Sequence, residues 1–591
     1  MPGPDVLFVN LPPHESYYAD GVPHLGMLYV LTSLREHGYS AGYLDCAQRG
    51  TRRDDVLRLI HESNPRMVGF SVDTDNLYNI AGFTRFVRDS LGPAVPIILG
   101  GPASQSQAEQ MISLSAADVV VIGEGEHSAC EVADALLGGK GGLEDVAGLC
   151  YRDADGQPRR TRDRDPIEDL DALPFPDRGF LPDDRRYEVC LISGRGCPFR
   201  CTFCFEGRMG NTYRHRSAAN LVAEIEQLVE RYKRPFVMIN DDTFTADVEH
   251  TREFCRLMRE RFTPWKDLLF FCEVRADILN RHPDLIDELV GAGVARIQVG
   301  VESASRSMLK DYKRLNVKPE VVESMVRRFY QAGIASIYCG FIAGGPRETR
   351  ETMQETLDFA RHLMTDVAPG TFECNMSFLT PLPGTDVYEH PDAYGLRLLD
   401  TDLKKSTNFN LCIAETETLS SDDVTNLRQE FLERIDRDMD AVVQGLPRSV
   451  IQRHMTLKKD FGISTRYADK IMRVQGWAEY WEIVGATGGL EPADALSDDA
   501  ILDRFPTRLG IQARMEDGCA RIPMGPRTVT LNRTGTEIYK RASGKVSTRE
   551  IVDDLERCLN GTAPPRPELQ ADVIAVIRSL DEQCGLFLKD Y

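Results

Sequence analysis

At 591 residues, with 42% hydrophobic and 27% charged residues, the chain has the composition of a globular protein and the length of three or four domains. A net charge of −21 argues against a general nucleic-acid surface, and no run of about 18 apolar residues marks a membrane span. Residues 1–12 lack the charged, apolar and small-residue order of an export signal, so a cytoplasmic location is expected, with the fifteen cysteines as thiols or metal ligands.

Residues 1–150 alternate strand-like runs at 5–10, 41–44, 67–72, 96–101 and 118–123 with helical periodicity at 25–37, 54–63, 78–90, 104–114 and 128–137. That order predicts a doubly wound, Rossmann-like parallel sheet, which binds ligands beyond the carboxyl ends of its strands. Two of those ends are glycine-rich, at Gly100-Gly101-Pro102 and Gly123-Glu124-Gly125-Glu126. Glycine there lets backbone approach a ligand closely.

Residues 151–186 read as a linker. Its charged, hairpin-like piece, 152–165 with Gly156 at the turn, is expected to be a solvated excursion. Leu173-Pro174-Phe175-Pro176 then restricts the backbone before the next domain.

An apolar run at 188–192 leads into Ser193-Gly194-Arg195-Gly196-Cys197-Pro198-Phe199-Arg200-Cys201-Thr202-Phe203-Cys204. Three cysteines at C-x3-C-x2-C spacing read as a loop closing around a metal. A structural zinc site closes with four ligands, whereas three thiolates leave a position open. The alternatives are zinc completed by His215 or Glu206, and three unrelated buried thiols.

From 187 to 394, strand-like runs at 188–192, 236–240, 268–273, 296–300, 336–342 and 371–378 alternate with amphipathic helices. Six such repeats suit a partial (β/α)6 barrel, whose chemistry collects at the strand ends. Those ends carry Asp241 and Asp242, Glu273 and Arg275 on one face of an extended segment, Glu302, and the stretch from Gly340 to Glu348. Asp241 and Asp242 read equally as helix caps. Residues 395–509 are mainly helical, with Trp477, Tyr480 and Trp481 lining a cavity or packing the helices. Residues 510–591 read as a small independent domain of two strands and two amphipathic helices, winged-helix-like in order.

The cysteine spacing, with Phe203 just before the last cysteine, resembles the signature of the radical S-adenosylmethionine (SAM) enzymes. In that family the thiolates of Cys197, Cys201 and Cys204 would hold a 4Fe-4S cluster whose fourth iron is chelated by SAM. On that resemblance Asp241 or Asp242 orients the SAM amino group, Arg275 pairs either with the SAM carboxylate or with a structural partner, and Glu273 approaches the open iron. The resemblance also implies that Glu302 lies near the ribose. Gly340, Ile342, Gly344 and Glu348 match the family's G-x-I-x-G-x-x-x-E pattern, which supports adenine.

Upstream, Leu25-Gly26, Gly100-Gly101-Pro102 and Gly123-Glu124-Gly125-Glu126 stand where the cobalamin-binding subgroup has its corrinoid domain. The D-x-H-x-x-G pattern that places a histidine on cobalt is missing, since Asp20, His24 and Gly26 have the wrong spacing. The resemblance therefore implies cobalamin without a protein imidazole, its lower face covered by Ser71, Val72, Asp73, Thr74, Asp75 and Asn76. The last segment resembles the PqqD-like peptide-recognition domain, in which a leader peptide adds a strand to a sheet edge.

Together these resemblances imply a cobalamin-dependent radical SAM carbon methyltransferase acting on a ribosomal peptide, with an electron donor for the cluster and a leader peptide as partners. The alternatives are the same chemistry on a free amino acid or small metabolite, radical cyclisation or rearrangement without methyl transfer, and a non-enzymatic cobalamin sensor.

Overall fold

Hydrophobic alternation builds the first sheet, because successive strand side chains point to opposite faces and both faces are covered. Its strands are β1 (Val6–Asn10), β2 (Ala41–Asp45), β3 (Met67–Ser71), β4 (Ile97–Gly100), β5 (Val119–Val121), β6 (Leu149–Arg152) and β7 (Pro158–Arg160). The computed structural model describes residues 3–11, 21–46, 51–74, 76–181, 187–206, 212–233, 235–313, 318–400, 411–474, 493, 496–508, 513–524, 527–559, 563–582 and 586–589. Asp75 and residues 477–481 lie outside them.

Sheet order is β2-β1-β3-β4-β5-β6-β7, parallel through β5 and antiparallel for the last two strands. Val9, Val68, Phe70, Leu99 and Val120 enter one core, while Val6, Phe8, Ile98 and Val119 enter the other. The charged, hairpin-like piece forms the second half of the hairpin β6–β7, exposed along β7, and the hairpin also extends this sheet because β6 pairs with β5. Gly156, at φ +75°, closes its turn by donating to the Asp153 carbonyl. Leu149 and Cys150 are buried, and only β7 is exposed along its length.

The second sheet contains β8 (Val189–Leu191), β11 (Phe236–Ile239), β12 (Leu269–Val274), β13 (Val294–Glu302), β14 (Ser336–Ala343) and β15 (Phe372–Phe378). All neighbours are parallel, in the order β15-β14-β13-β12-β11-β8, which gives the expected six-stranded partial barrel. Between β8 and β11, two short strands, β9 (Gly194–Arg195) and β10 (Arg214–His215), pair antiparallel and close the cysteine loop at its base. The helix Ser421–Gln444 packs Phe431 against Phe341 of β14, with ring centroids 5.8 Å apart.

In the last segment, Arg514–Glu516, Cys519–Met524 and Arg527–Thr530 form a three-stranded antiparallel sheet. Helices Arg533–Arg541, Thr548–Cys558 and Arg566–Glu582 follow. Ser547 and Glu550 form a capping box at the second of these, satisfying backbone donors the helix itself leaves free. Leu586–Lys589 pairs with Phe505–Arg508, joining residues on both sides of position 510. No helix among the described residues is long and apolar enough to cross a membrane.

Candidate active site

A cavity of about 740 Å³ opens beyond the carboxyl ends of β3, β4 and β5. Gly26, Ser71, Gly100, Gly101, Pro102, Gly123 and Gly125 line its sheet side, and Ile192, Arg195, Gly196 and Arg214 line the side toward the barrel. Gly101, at φ +97°, has no room for a side chain, because a Cβ would stand 2.5 Å from Ser71 Oγ and 2.7 Å from Val72 N. At Gly123, φ +85°, nothing lies within 4 Å of a Cβ, so the space there belongs to the cavity. A glycine-walled cradle of this kind accepts a large flat ligand against backbone.

Five expected contacts fall elsewhere. Val72 donates its N–H to the Gly100 carbonyl (2.8 Å), and its own carbonyl accepts from Ala103 (3.1 Å), which turns the chain away from the cavity. Asp73 N donates to Asn76 Oδ1 (2.9 Å) and Thr74 Oγ1 to Gln107 Oε1 (3.3 Å), and burial pushes the Asp73 carboxyl up to about 6. Leu25, Val72, Asp73, Thr74 and Asn76 do not line the cavity, whereas Ser71 does. His24 lines it too, and its Nδ1 accepts from Met27 N at 3.2 Å, capping the first helix.

Glu124 and Glu126 also line the cavity, yet their carboxylates are spent on the barrel. Arg195 reaches Glu124 Oε1 through Nη1 (3.0 Å) and Glu126 Oε1 through Nη2 (2.5 Å). Arg214 donates to both Glu124 oxygens at 3.0 Å. Burial alone would push the Glu124 carboxyl up, but Arg214, Arg195 and the Ile167 N–H hold it below its ordinary value. These two glutamates clamp the first sheet to the cysteine loop, a role that the glycine pattern around them did not reveal.

Two further anchors, Asp241 and Thr202, fix the loop itself. Asp241, wholly buried, accepts from Ser193 N (2.7 Å), Gly194 N (3.2 Å) and the Ser193 hydroxyl. Burial, against those donors, brings its carboxyl to about 6. Asp241 is therefore neither a helix cap nor free to reach SAM, because both oxygens brace the loop entry. Asp242 beside it is exposed. Thr202 donates through N to the Tyr312 carbonyl (2.8 Å) and through Oγ1 to the Asp311 carbonyl (2.8 Å). Cys197, Cys201 and Cys204 are not joined in disulfides.

Donors stand next to two of these sulfurs. Cys197 Sγ is 3.6 Å from Thr243 Oγ1, and Cys201 Sγ accepts from Arg275 Nη1 at 3.8 Å. Arg275 Nη2 is buried without a partner. His215 Nε2 lies 3.5 Å from Asp247 Oδ2, and its ring meets that of His250 at 4.0 Å, tilted by 30°. Among the described residues no three His, Cys, Asp or Glu side chains converge on a single ion. Soft thiols flanked by N–H and O–H donors, with one donor unsatisfied, fit an iron–sulfur cluster, in which each thiolate binds a different iron.

The other strand ends gather around the loop. Glu273 Oε1 accepts from Gln298 Nε2 (3.0 Å), and burial together with Asp242 pushes its carboxyl up to about 8. Glu302, at φ +64°, is buried 3.1 Å from Lys313 Nζ, so its charge is already paired. Phe203 and Ile342 share one apolar cluster with Tyr312, and the Phe203 and Tyr312 rings meet edge-on at 5.4 Å. Gly340 leaves backbone open, with nothing closer than 4.0 Å to a Cβ. Glu348 turns back on its own loop, its Oε2 accepting from Gly344 N (2.5 Å) and Gly345 N (3.2 Å), and so shapes the turn rather than facing a ligand. Tyr312, Lys313 and Thr243 carry no motif and were not legible as site residues.

Comparisons with known proteins match three parts of the chain. The Radical SAM superfamily matches residues 191–360, the B12 binding domain residues 18–133, and coenzyme PQQ synthesis protein D (PqqD) residues 522–585. An uncharacterized methyltransferase of Pyrococcus horikoshii is 27% identical over 416 residues, spanning 68% of this chain and 86% of that protein. The anaerobic magnesium-protoporphyrin IX monomethyl ester cyclase of Rubrivivax gelatinosus is 27% identical over 402 residues, spanning 65% and 69%. Among solved structures, the radical SAM methyltransferase TsrM of Kitasatospora setae, with cobalamin and a [4Fe-4S] cluster bound, superposes with a TM-score of 0.58 at 16% identity over 82% of this chain and 100% of that one. The cobalamin-dependent SAM radical enzyme OxsB, with aqua-cobalamin and SAM bound, gives 0.59 at 16% identity over 98% and 84%.

Proposed function

We propose that this chain, which belongs to the cobalamin-binding radical SAM enzymes and carries a PqqD domain, methylates an unreactive carbon of a peptide. When bound, the cluster with SAM supplies one-electron chemistry and the corrinoid supplies a transferable methyl group. The observation that carries the reading is the cavity wall shared by the glycine-rich strand ends and the cysteine loop, joined through Arg195 and Glu124. Two cofactor sites on a common wall can serve one substrate.

The residues divide the work. Gly100, Gly101 and Gly123 offer backbone to the corrinoid, while Ser71 lies on the same wall. Cys197, Cys201 and Cys204 hold the cluster, and Asp241 and Thr202 fix the loop that carries them. Phe203, Ile342 and the half-buried backbone of Gly340 form the apolar side of the SAM site. Glu273, neutral at about pH 7 with a carboxyl at about 8, offers a proton donor inside the barrel without placing a second charge there.

The peptide part of the reading is supported by the PqqD match and by the three-stranded sheet of the last segment, whose edge strands Arg514–Glu516 and Arg527–Thr530 suit strand addition. The test is anaerobic turnover of the reconstituted full chain with methyl-deuterated SAM and short peptides encoded beside its gene. A deuterated methyl on peptide carbon is expected. An unlabelled product would favour cyclisation, the activity that the Rubrivivax relative's name carries. Label entering only free amino acids or small metabolites would favour the other reading, since a structure of TsrM contains tryptophan as substrate.

A further inference from the structure

Arg275 directly follows β12, and its guanidinium is engaged in three directions. Nε donates to Asp277 Oδ1 at 2.9 Å, and Nη1 to Cys201 Sγ at 3.8 Å. The guanidinium carbon lies 3.6 Å from the ring centroid of Phe199, inside the cysteine loop, and Nη2 is buried with no partner. The side chain is 10% exposed. A planar fork stacked on an aromatic and tied at Nε loses little further freedom in aiming Nη1.

We propose that Arg275 sets the reduction potential of the cluster, through its N–H bond to the Cys201 thiolate and its buried charge, rather than serving chiefly as a SAM carboxylate partner. Taking up one electron from an external low-potential donor adds one negative charge to the cluster and its thiolates, with no bond formed or broken. A buried cation and an N–H···S bond both favour the more negative state and therefore raise the potential, two of the levers that govern iron–sulfur centres. Asp277 works in the opposite sense by screening the same guanidinium.

The inference rests on the three cysteines holding the cluster, so iron and sulfide analysis of each protein comes first and separates loss of the cluster from loss of tuning. The measurement is an anaerobic potentiometric titration of the reconstituted full chain with dithionite, followed by the electron paramagnetic resonance signal of the reduced cluster. It is made without SAM, so that SAM binding plays no part. In Arg275→Gln the ratio of reduced to oxidised cluster at the wild-type midpoint is expected to fall about tenfold, which is about 59 mV for one electron. Arg275→Lys, which keeps the charge but not the stacked fork, is expected to fall less. Asp277→Asn, with Arg275 intact, is expected to shift the midpoint upward. An unchanged midpoint in Arg275→Gln at full cluster content would overturn the proposal. If that variant assembles no cluster, Asp277→Asn decides, since a midpoint that stays or falls there overturns it equally.

Discussion

Arg195 Nη1 stands 3.0 Å from Glu124 Oε1, joining the residue two places before Cys197 to the glycine-rich turn after β5. Both side chains are mostly buried, at 16% and 17% exposure. The bond therefore fixes how the cysteine loop faces the cavity, and Arg214 doubles it from the other strand of the loop's base.

Removing one partner of such a pair leaves the other charge buried and uncompensated, which costs about 3–5 kcal/mol. Glu124→Ala strands Arg214 and half of Arg195, so a loss near the lower figure, about 3 kcal/mol, is expected in urea denaturation. Cobalamin retained after gel filtration should fall with it. The wild-type contribution has a definite pH sense, because the Glu124 carboxyl lies below its ordinary value of 4.5 when folded. Its stabilisation is fully present above that value and is lost as pH falls through the folded pKa. Wild type and variant should thus converge in stability on acidification below pH 4.5, and a constant gap down to pH 3 would contradict the assignment.

Gly345 is the closest approach in the apolar wall. A Cβ there would stand 1.6 Å from Tyr312 Oη and 2.3 Å from its Cζ, and the ring cannot retreat because it packs on Phe203. Gly345→Ala is expected to destabilise by about 1–3 kcal/mol, the usual cost of overpacking, and to weaken SAM binding measured by calorimetry. Tyr312→Phe should do neither, since the Tyr312 hydroxyl is buried without a partner and its removal breaks no bond. SAM affinity unchanged in Gly345→Ala would detach this wall from the SAM site.

Burial raises the Glu348 carboxyl to about 8 against the pull of the Gly344 and Gly345 N–H groups. A carboxyl raised on folding binds its proton more tightly in the native state, so its effect runs opposite to that of Glu124. Stability is greatest below the unfolded value of 4.5 and declines as pH rises toward 8, by at most about 1.4 kcal/mol per pH unit. Glu348→Gln removes the titration while keeping an acceptor for the two N–H groups. Relative to wild type it should gain stability steadily between pH 5 and pH 8 in parallel denaturation curves; a gap independent of pH would refute the coupling.

Which features could be read beforehand follows from the range of the interactions. The strands and helices of both sheets, the cysteine spacing and the glycine turns are local patterns, and each fell within a few residues of its expected place. The destinations of side chains were not local. Glu124 pairs with residues 71 and 90 positions away, and Asp241 reaches Ser193 across 48. Such pairs leave no periodic signal, so carboxylates beside glycine or at strand ends read as ligand contacts or caps when they are clamps. The hairpin β6–β7 was legible from Gly156 at its turn, but its place in the first sheet was not, because its charge pattern describes exposed β7 while β6 is held by pairing to β5.

Gly123 offers the sharpest test of where the corrinoid lies. Its φ of +85° puts any L side chain in the left-handed region, at a cost of about 1–2 kcal/mol, so lost binding in Gly123→Ala could reflect backbone strain alone. Gly139 supplies the control, since it has φ +62°, nothing within 4 Å of a Cβ, and no place in the cavity wall. Gly123→Ala and Gly139→Ala should lose similar stability. Only the first adds a methyl to the space the ligand would occupy, so only the first should weaken hydroxocobalamin binding, read by equilibrium dialysis of the full chain. Gly123→Val, with two more methyl groups directed into the same space, should weaken it further. Equal affinity in all three variants would mean that the corrinoid does not rest on this turn, and the cradle between β4 and β5 would have to be assigned to another ligand.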